Sequence, residues 1–224
     1  MQTSTQLYLI TPVNLDLTTF PKLLEKILHA LPIAAVQLCL TTEMQRNSPL
    51  SAIETLLPIV QNHGCAFLLR DHVELALKTG CDGLHLSHFD VEKIKTIRKK
   101  HDTFQIGVSC QNSRHLAMEA GEAGADYVSF REPSTPFSEG NKVHPPSSAF
   151  IELLSWWSDV MEIPAVAEGD ISTENALDFV KTGVDFLAVQ DKIWTHPEGA
   201  LKALETIDNI IKNNTKNSPT DRPL

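Results

Sequence analysis

The sequence predicts a single α/β domain in which eight parallel strands and their helices close into a (β/α)8 TIM barrel. Three observations lead to this prediction. Eight short apolar segments recur along the chain, amphipathic segments of helical period separate them, and three of the helices end in the same kind of turn. The 224 residues suffice for eight such units, since barrels of this type run from about 200 residues upward.

The predicted strands lack the alternation of apolar and polar residues that marks a sheet with one face in water. Continuous apolar character is typical of parallel strands that are covered on both sides. In chain order they span residues 7–10, 34–40, 66–69, 83–86, 105–108, 127–130, 165–167 and 186–189.

The segments between the strands place apolar residues three and four positions apart, which indicates helices with one buried face. The first helix carries Phe20, Leu24 and Ile27 on such a face.

Three later helices lead into their strands through similar turns, whose glycine suits the left-handed conformation that ends a helix. An aspartate follows two residues after the glycine in each of them, at residues 78–82, 122–126 and 181–185. The repetition indicates repeated βα units.

An open, doubly wound sheet is the alternative arrangement of these elements. Such sheets usually carry a Gly-x-Gly-x-x-Gly loop after the first strand, and residues 11–14 contain no glycine. We therefore expect one barrel domain over residues 1–212 and a disordered polar tail over residues 213–224. The one long connection, residues 131–146, follows the sixth strand and would lie on the catalytic face of a barrel.

The composition argues against several classes of function. The net charge of −9 disfavours nonspecific binding to nucleic acid, which needs a basic face. No apolar run is long enough for a transmembrane helix, and the N-terminus does not resemble a signal peptide. Four widely spaced cysteines are typical of reduced thiols, so we expect a cytoplasmic protein without a membrane partner.

Two aspartates follow adjacent predicted strands at the end where barrel enzymes carry their active residues. Asp71 and Asp90 could bring their carboxylates together, and carboxylates with phosphate oxygens are a donor set that Mg²⁺ favours. Each aspartate also precedes an apolar helical segment, so the simpler interpretation is that each caps a helix. His85, His88 and Asp90 are a further, loosely spaced candidate set for a transition metal.

Four basic residues near the strand ends could bind phosphate groups, or could be solvated surface charges. They are Arg70, Arg131, Lys142 and Lys192. Phosphate sites in barrels commonly use the loops after strands seven and eight. Glu168, Asp170 and Asp191 add negative charge there, which opposes phosphate. His85, in the core or at the mouth of the barrel, is another candidate for substrate binding.

Several segments resemble the thiamine-phosphate synthase family and its relative, the thiazole tautomerases. The longest is residues 70–86, which begins Arg-Asp-His-Val-Glu-Leu. The others are residues 7–12 (Leu-Tyr-Leu-Ile-Thr-Pro), 36–38 (Val-Gln-Leu), 106–109 (Ile-Gly-Val-Ser), 124–128 (Gly-Ala-Asp-Tyr-Val) and 163–169 (Ile-Pro-Ala-Val-Ala-Glu-Gly). They occur in the same order as in the family.

The resemblance implies a (β/α)8 barrel that joins hydroxymethylpyrimidine diphosphate to a thiazole phosphate and releases pyrophosphate, with Mg²⁺ as cofactor. It implies that Asp71 and Asp90 bind Mg²⁺, that Ser109 lies near the diphosphate and that Gln37 lies on the pyrimidine side. It also implies that the backbone of Gly169 contacts the thiazole phosphate. Arg70, Arg131 or Lys142 would then stabilise the pyrophosphate as it departs.

The sequence departs from the family where cations are expected. Residues 39–41, Cys-Leu-Thr, stand in place of an Arg-x-Lys segment, and residues 131–140 lack the lysine of a Thr-x-Thr-Lys segment. Arg70 replaces an asparagine, Asp170 a glycine, and residues 190–192 a serine-bearing phosphate turn. The sixth-strand histidine of the tautomerases has no obvious counterpart.

Three functions therefore remain open: a divergent synthase of low or altered activity, a non-catalytic binder or regulator of thiamine precursors, and an enzyme acting on another phosphorylated heterocycle. Barrels often associate through their outer helices, so a homo-oligomer is also left open.

Overall fold

Eight parallel strands form one closed sheet in the computed structural model, which describes residues 4–40, 49–132 and 145–217. They follow one another around the barrel in chain order, and β8 pairs with β1 to close it. All eight predicted strands are confirmed, with ends that differ by two residues or fewer. The strands are β1 Gln6–Ile10, β2 Ile33–Leu38, β3 Ala66–Arg70, β4 Gly83–Leu86, β5 Gln105–Ser109, β6 Tyr127–Arg131, β7 Ala165–Glu168 and β8 Phe186–Val189.

Helices follow the strands and surround the barrel. Those in the described part of the chain are α1 Phe20–Ala30, α2 Pro49–Asn62, α3 Val73–Thr79, α4 Val91–Lys100, α5 Arg114–Ala123, α6 Ser148–Val160, α7 Ala176–Val180, α8 Asp191–Trp194 and α9 Ala200–Asn217. The last helix passes the expected domain boundary at residue 212 and continues to Asn217. None of these helices combines the length and the apolar character needed to cross a bilayer.

The strands are mostly apolar along their length because both of their faces are covered, one by the helices and the other by side chains inside the barrel. Leu7 and Leu9 of β1 belong to the large outer core between the strands and the helices. Tyr8 and Ile10 point the other way, into a smaller cluster inside the barrel. Successive side chains on a strand face opposite sides of the sheet, so one apolar run supplies both cores.

The three predicted turns share one geometry. Gly80, Gly124 and Gly183 have φ values of 77°, 105° and 78°, in the left-handed region that favours glycine. The aspartates two residues on accept hydrogen bonds from strand backbone N–H groups at 2.7–2.9 Å: Phe67 to Asp82, Ile106 to Asp126 and Ala165 to Asp185. Each turn therefore ends a helix, and its aspartate also fixes the start of the strand that precedes that helix.

Candidate active site

Polar side chains replace apolar ones inside the barrel toward the carboxyl ends of its strands. Gln37, His85, Ser109, Ser129 and Glu168 are all buried there. Arg70 and Arg131, the last residues of β3 and β6, are half-buried. We call this set of seven residues the mouth of the barrel.

A chain of contacts crosses the inside of the barrel from Gln37 to Glu168. The Tyr8 hydroxyl donates to Oε1 of Gln37 at 2.8 Å and lies 3.0 Å from the Tyr127 hydroxyl. The Tyr127 hydroxyl lies 3.1 Å from Nδ1 of His85, and Nε2 of His85 lies 3.5 Å from Oε1 of Glu168. The chain joins five strands and fixes the relative positions of these side chains.

The hydrogen bonds in this chain have one consistent direction. Burial raises the pKa of Tyr8 and of Tyr127, so each phenol keeps its single proton. Tyr8 donates its one hydroxyl hydrogen to Oε1 of Gln37, which can only accept. Tyr127 therefore donates to Tyr8, and Nδ1 of His85 donates to Tyr127. Burial also lowers the pKa of His85, although the charge of Glu168 partly opposes this; the lowered pKa favours the neutral ring.

Gly107 makes room for this chain on the intervening strand. A Cβ atom at this position would lie 1.9 Å from Cζ of Tyr127, which no packing allows. With hydrogen in its place, the rings of His85 and Tyr127 stack across β5 with centroids 5.7 Å apart.

Glu168 is a site residue that the sequence reasoning did not propose. It ends β7, is 3% exposed, and directs its other oxygen, Oε2, to Nε of Arg131 at 3.5 Å. In the sequence it is one charged residue after an apolar strand, and nothing marks its convergence with His85 and Arg131. A buried carboxylate is tolerated only with such partners. A charged residue at the end of an apolar strand is therefore the one feature of the sequence that could have indicated partners for Glu168.

Arg70 lies across the mouth, beside Cys39. Its Nη1 is 3.7 Å from Sγ of Cys39, and its Nε is 3.8 Å from Oδ2 of Asp71. Nε2 of Gln37 donates to the same sulfur at 3.3 Å. Cys39 thus connects the predicted pyrimidine-side residue Gln37 with the predicted pyrophosphate-side residue Arg70.

The prediction that Asp71 caps a helix is wrong. Helix α3 begins after His72, and Asp71 has a φ of 63°, which is unusual for a residue other than glycine. Its carboxylate instead accepts from the backbone N–H of Ser87 at 2.8 Å and from the Ser87 hydroxyl at 2.6 Å. The left-handed turn joins Asp71 to the loop after β4.

Asp90 does cap a helix, as predicted. It precedes α4, and its Oδ1 accepts from the backbone N–H of Lys93 at 3.0 Å. Within the described ranges no three His, Cys, Asp or Glu side chains converge to hold a metal ion, and the alternative set of His85, His88 and Asp90 is thereby not formed. The donor set of Asp71 and Asp90 still fits Mg²⁺, which takes one or two carboxylates together with water and substrate phosphates.

The remaining predicted residues lie at different depths in the barrel. Ser109, at the end of β5, is 8% exposed, and its neighbour in register on β6, Ser129, has a buried hydroxyl without a partner in the described part of the chain. Gly169 has a φ of 145°, and a Cβ there would meet nothing within 4 Å. Lys192 is half-buried in the short helix α8. Lys142 lies outside the described residues.

The fold and the site define a class of protein: a (β/α)8 barrel whose mouth carries two arginines, one beside Asp71 and one beside Glu168. The sequence profile of the thiamine monophosphate synthase family matches residues 7–193. The chain belongs to the thiamine-phosphate synthase family.

Individual relatives agree with this membership. The chain is 40% identical to a thiamine-phosphate synthase of Rhodospirillum centenum over 210 residues, which cover 94% of this chain and 99% of the relative. It is 40% identical to that of Erythrobacter litoralis over 200 residues, 88% and 91% of the two chains. Its fold is similar to thiamine phosphate pyrophosphorylase from Pyrococcus furiosus, with a TM-score of 0.71, 26% identity, and 95% and 98% of the two chains covered.

Proposed function

We propose that this protein joins hydroxymethylpyrimidine diphosphate to a thiazole phosphate and releases pyrophosphate. The observation that carries the proposal is the cluster of Asp71, Ser87 and Arg70 at the mouth of a barrel of this family. Such a cluster would hold a carboxylate beside a guanidinium at the place where we expect the diphosphate to bind. The pyrimidine would enter the polar interior beside Gln37 and His85, and the thiazole phosphate would lie near Gly169 and Lys192.

The mouth has cations for a departing pyrophosphate in spite of the missing Arg-x-Lys segment. Arg70 and Arg131 stand on β3 and β6, and among the described residues Arg131 makes its contact with Glu168 through Nε, so its terminal amino groups would be available to a ligand. Guanidinium groups bind phosphate oxygens in pairs. Arg70 and Arg131, with Lys142 as a further candidate, would oppose the developing negative charge, and Ser109 would hydrogen-bond to the diphosphate.

Asp71 and Asp90 are the residues that would hold Mg²⁺. When bound, the ion supplies positive charge to the phosphate oxygens. Ser87 keeps the Asp71 carboxylate in place through two hydrogen bonds, so this ligand needs no rearrangement when the diphosphate arrives.

The test is product formation from both substrates with Mg²⁺. Turnover by the wild-type chain, with a loss of roughly 10- to 150-fold in Arg70→Ala and in Arg131→Ala, is the expected result, because each charge-assisted contact contributes about 1.5–3 kcal/mol and about 1.4 kcal/mol is tenfold in rate. Exposed Lys202→Ala is the matched control. Binding of thiamine phosphate by well-folded protein without turnover would instead support a non-catalytic barrel.

A further inference from the structure

A cavity lies inside the barrel at the amino ends of its strands, on the side opposite the mouth. It encloses about 360 Å³, whereas an engineered apolar cavity of about 150 Å³ already binds benzene. Gln6, at the start of β1, and Gln105, at the start of β5, are exposed residues of its wall. None of the seven residues of the mouth contributes to this wall. The cavity is therefore large enough for a ligand and separate from the candidate active site.

Two alanines on neighbouring strands create the space. Ala35 of β2 and Ala66 of β3 are paired in register, and both belong to the wall of the cavity. The interior of such a barrel is normally filled by layers of side chains in which Val, Ile and Leu predominate. Methyl groups at these two positions leave part of a layer empty. The cavity thus arises from the residues of the sheet itself.

Tyr8 and Tyr127 separate the cavity from the mouth. Both side chains line the cavity, and their hydroxyl groups lie 3.0 Å apart. The same hydroxyls contact Gln37 and His85 on the mouth side. Because these contacts fix the two rings, a ligand would meet a preformed aromatic surface at the inner end of the cavity.

The wall of the cavity defines the chemistry of the ligand. Among the described residues it contains no charged side chain, and it carries the aromatic rings of Tyr8, Tyr127 and Phe186. A phosphate group buried here would have no cation to pair with, which makes its burial costly. Aromatic rings, by contrast, attract one another in offset and edge-to-face contacts. The side-chain amides of Gln6 and Gln105 each offer a donor and an acceptor to a polar atom of such a ring.

We propose that this cavity is a second ligand site, which binds an uncharged, planar ring system of about two fused rings. The ring would pack against Tyr8, Tyr127 and Phe186, and a polar ring atom would bond to Gln6 or Gln105. This ligand differs in class from the phosphorylated substrates proposed for the mouth. The site therefore holds or fails independently of the proposed reaction.

Calorimetry of the full chain with indole as the probe tests the site. The wild type should bind one indole per chain, and thiamine phosphate should not displace it, because the two compounds would occupy opposite ends of the barrel. In Ala66→Leu the affinity for indole should fall by roughly 10-fold or more, since the added carbon atoms take the space of the ring. Ala30→Leu makes the same change at an exposed position of α1 and should keep the wild-type affinity.

Urea unfolding of the same variants shows whether the space exists. Ala66→Leu and the smaller change Ala66→Val should keep or raise the urea midpoint, because their side chains fill a cavity and do not crowd a packed core. Lower midpoints in both variants would overturn the proposal. So would a wild type that binds no indole, a folded Ala66→Leu protein that binds it as the wild type does, or displacement of indole by thiamine phosphate. If Ala66→Leu does not fold, the affinity of Ala66→Val decides, with the same expected direction.

Discussion

At the scale of single residues, Asp71 and Asp90 show how one sequence signal has two structural outcomes. Both precede helices, yet only the side chain of Asp90 accepts a hydrogen bond from its own helix. The backbone N–H of Asp71 donates instead to the carbonyl of His85 at 3.0 Å, and the left-handed turn at φ 63° aims the residue at the next loop. The conformation of one residue decides between a local cap and a contact between two loops.

The contact between Asp71 and Ser87 should make stability depend on pH. Partial burial alone would raise the pKa of Asp71, but the Ser87 hydrogen bonds and Arg70 outweigh it and hold the pKa below its ordinary value. Its contribution is therefore complete above the unfolded-state pKa of about 4 and is lost as the pH falls through the folded-state pKa. Because the side chain is 42% exposed, we expect Asp71→Asn to cost less than about 1 kcal/mol at pH 7.

Urea unfolding at pH 7 and at pH 3 measures this contribution. The free energies of unfolding of the wild type and Asp71→Asn should converge at the lower pH. A difference that grows on acidification would contradict the assigned direction of the pKa.

Gly107 should tolerate no side chain while Tyr127 is present. In Gly107→Ala the new methyl group would displace the Tyr127 ring, break its contact with His85 and destabilise the fold by about 1–3 kcal/mol. The check is a double-mutant cycle with Tyr127→Ala, in which removal of the ring should make the alanine at 107 nearly neutral. Equal costs in both backgrounds would mean that the strain arises elsewhere.

At the scale of elements, the repeated glycine–aspartate turn is the device that connects helices to strands. Its aspartate accepts a hydrogen bond from a backbone N–H at the start of a strand, as Asp126 does from Ile106, the second residue of β5. Asp126 also contacts the guanidinium of Arg98, which in turn donates to the carbonyls of Gly124 and Phe104. One side chain thus joins the end of α4, the start of β5 and the turn before β6.

Removing one of these aspartates should destabilise the whole barrel. Asp126→Ala leaves the Ile106 N–H without its acceptor and Arg98 without its carboxylate, so we expect a loss of about 1–3 kcal/mol in the free energy of unfolding. Chemical denaturation measures it, with exposed Asp159→Ala on α6 as the control. Similar small losses in both variants would show that the turn aspartate contributes little.

At the scale of the whole molecule, the barrel is one layered unit with two cores. The outer core runs continuously from β1 to α9, and the inner cluster joins side chains of opposite strands. Trp194 of α8 donates to the carbonyl of Ile10 at 2.7 Å, beside the seam where β8 meets β1. Trp157 of α6 is fully buried near β6 and donates to the carbonyl of Ile163.

A single cooperative unit should unfold as one. In a variant that keeps only Trp157 and in one that keeps only Trp194, fluorescence and far-UV circular dichroism should report the same urea midpoint. If the Trp194 signal changed before the circular dichroism, the seam would open independently and the barrel would not be one unit.

Local physics made the strands and turns predictable. Buried parallel strands are mostly apolar on both faces, and a left-handed helix end favours glycine, so both features are visible in short windows of sequence. The family could also be identified, because segments around Asp71, Ser109 and Gly169 keep its order.

The sequence alone therefore determined the class of fold, the family and the rim at which polar residues gather. Only the tertiary structure decided which of those residues meet: Glu168 with His85 and Arg131, and Asp71 with Ser87. The reason is that barrel closure brings together side chains that are far apart in the chain, with register and stagger setting their depth. No local pattern in the sequence carries that three-dimensional information.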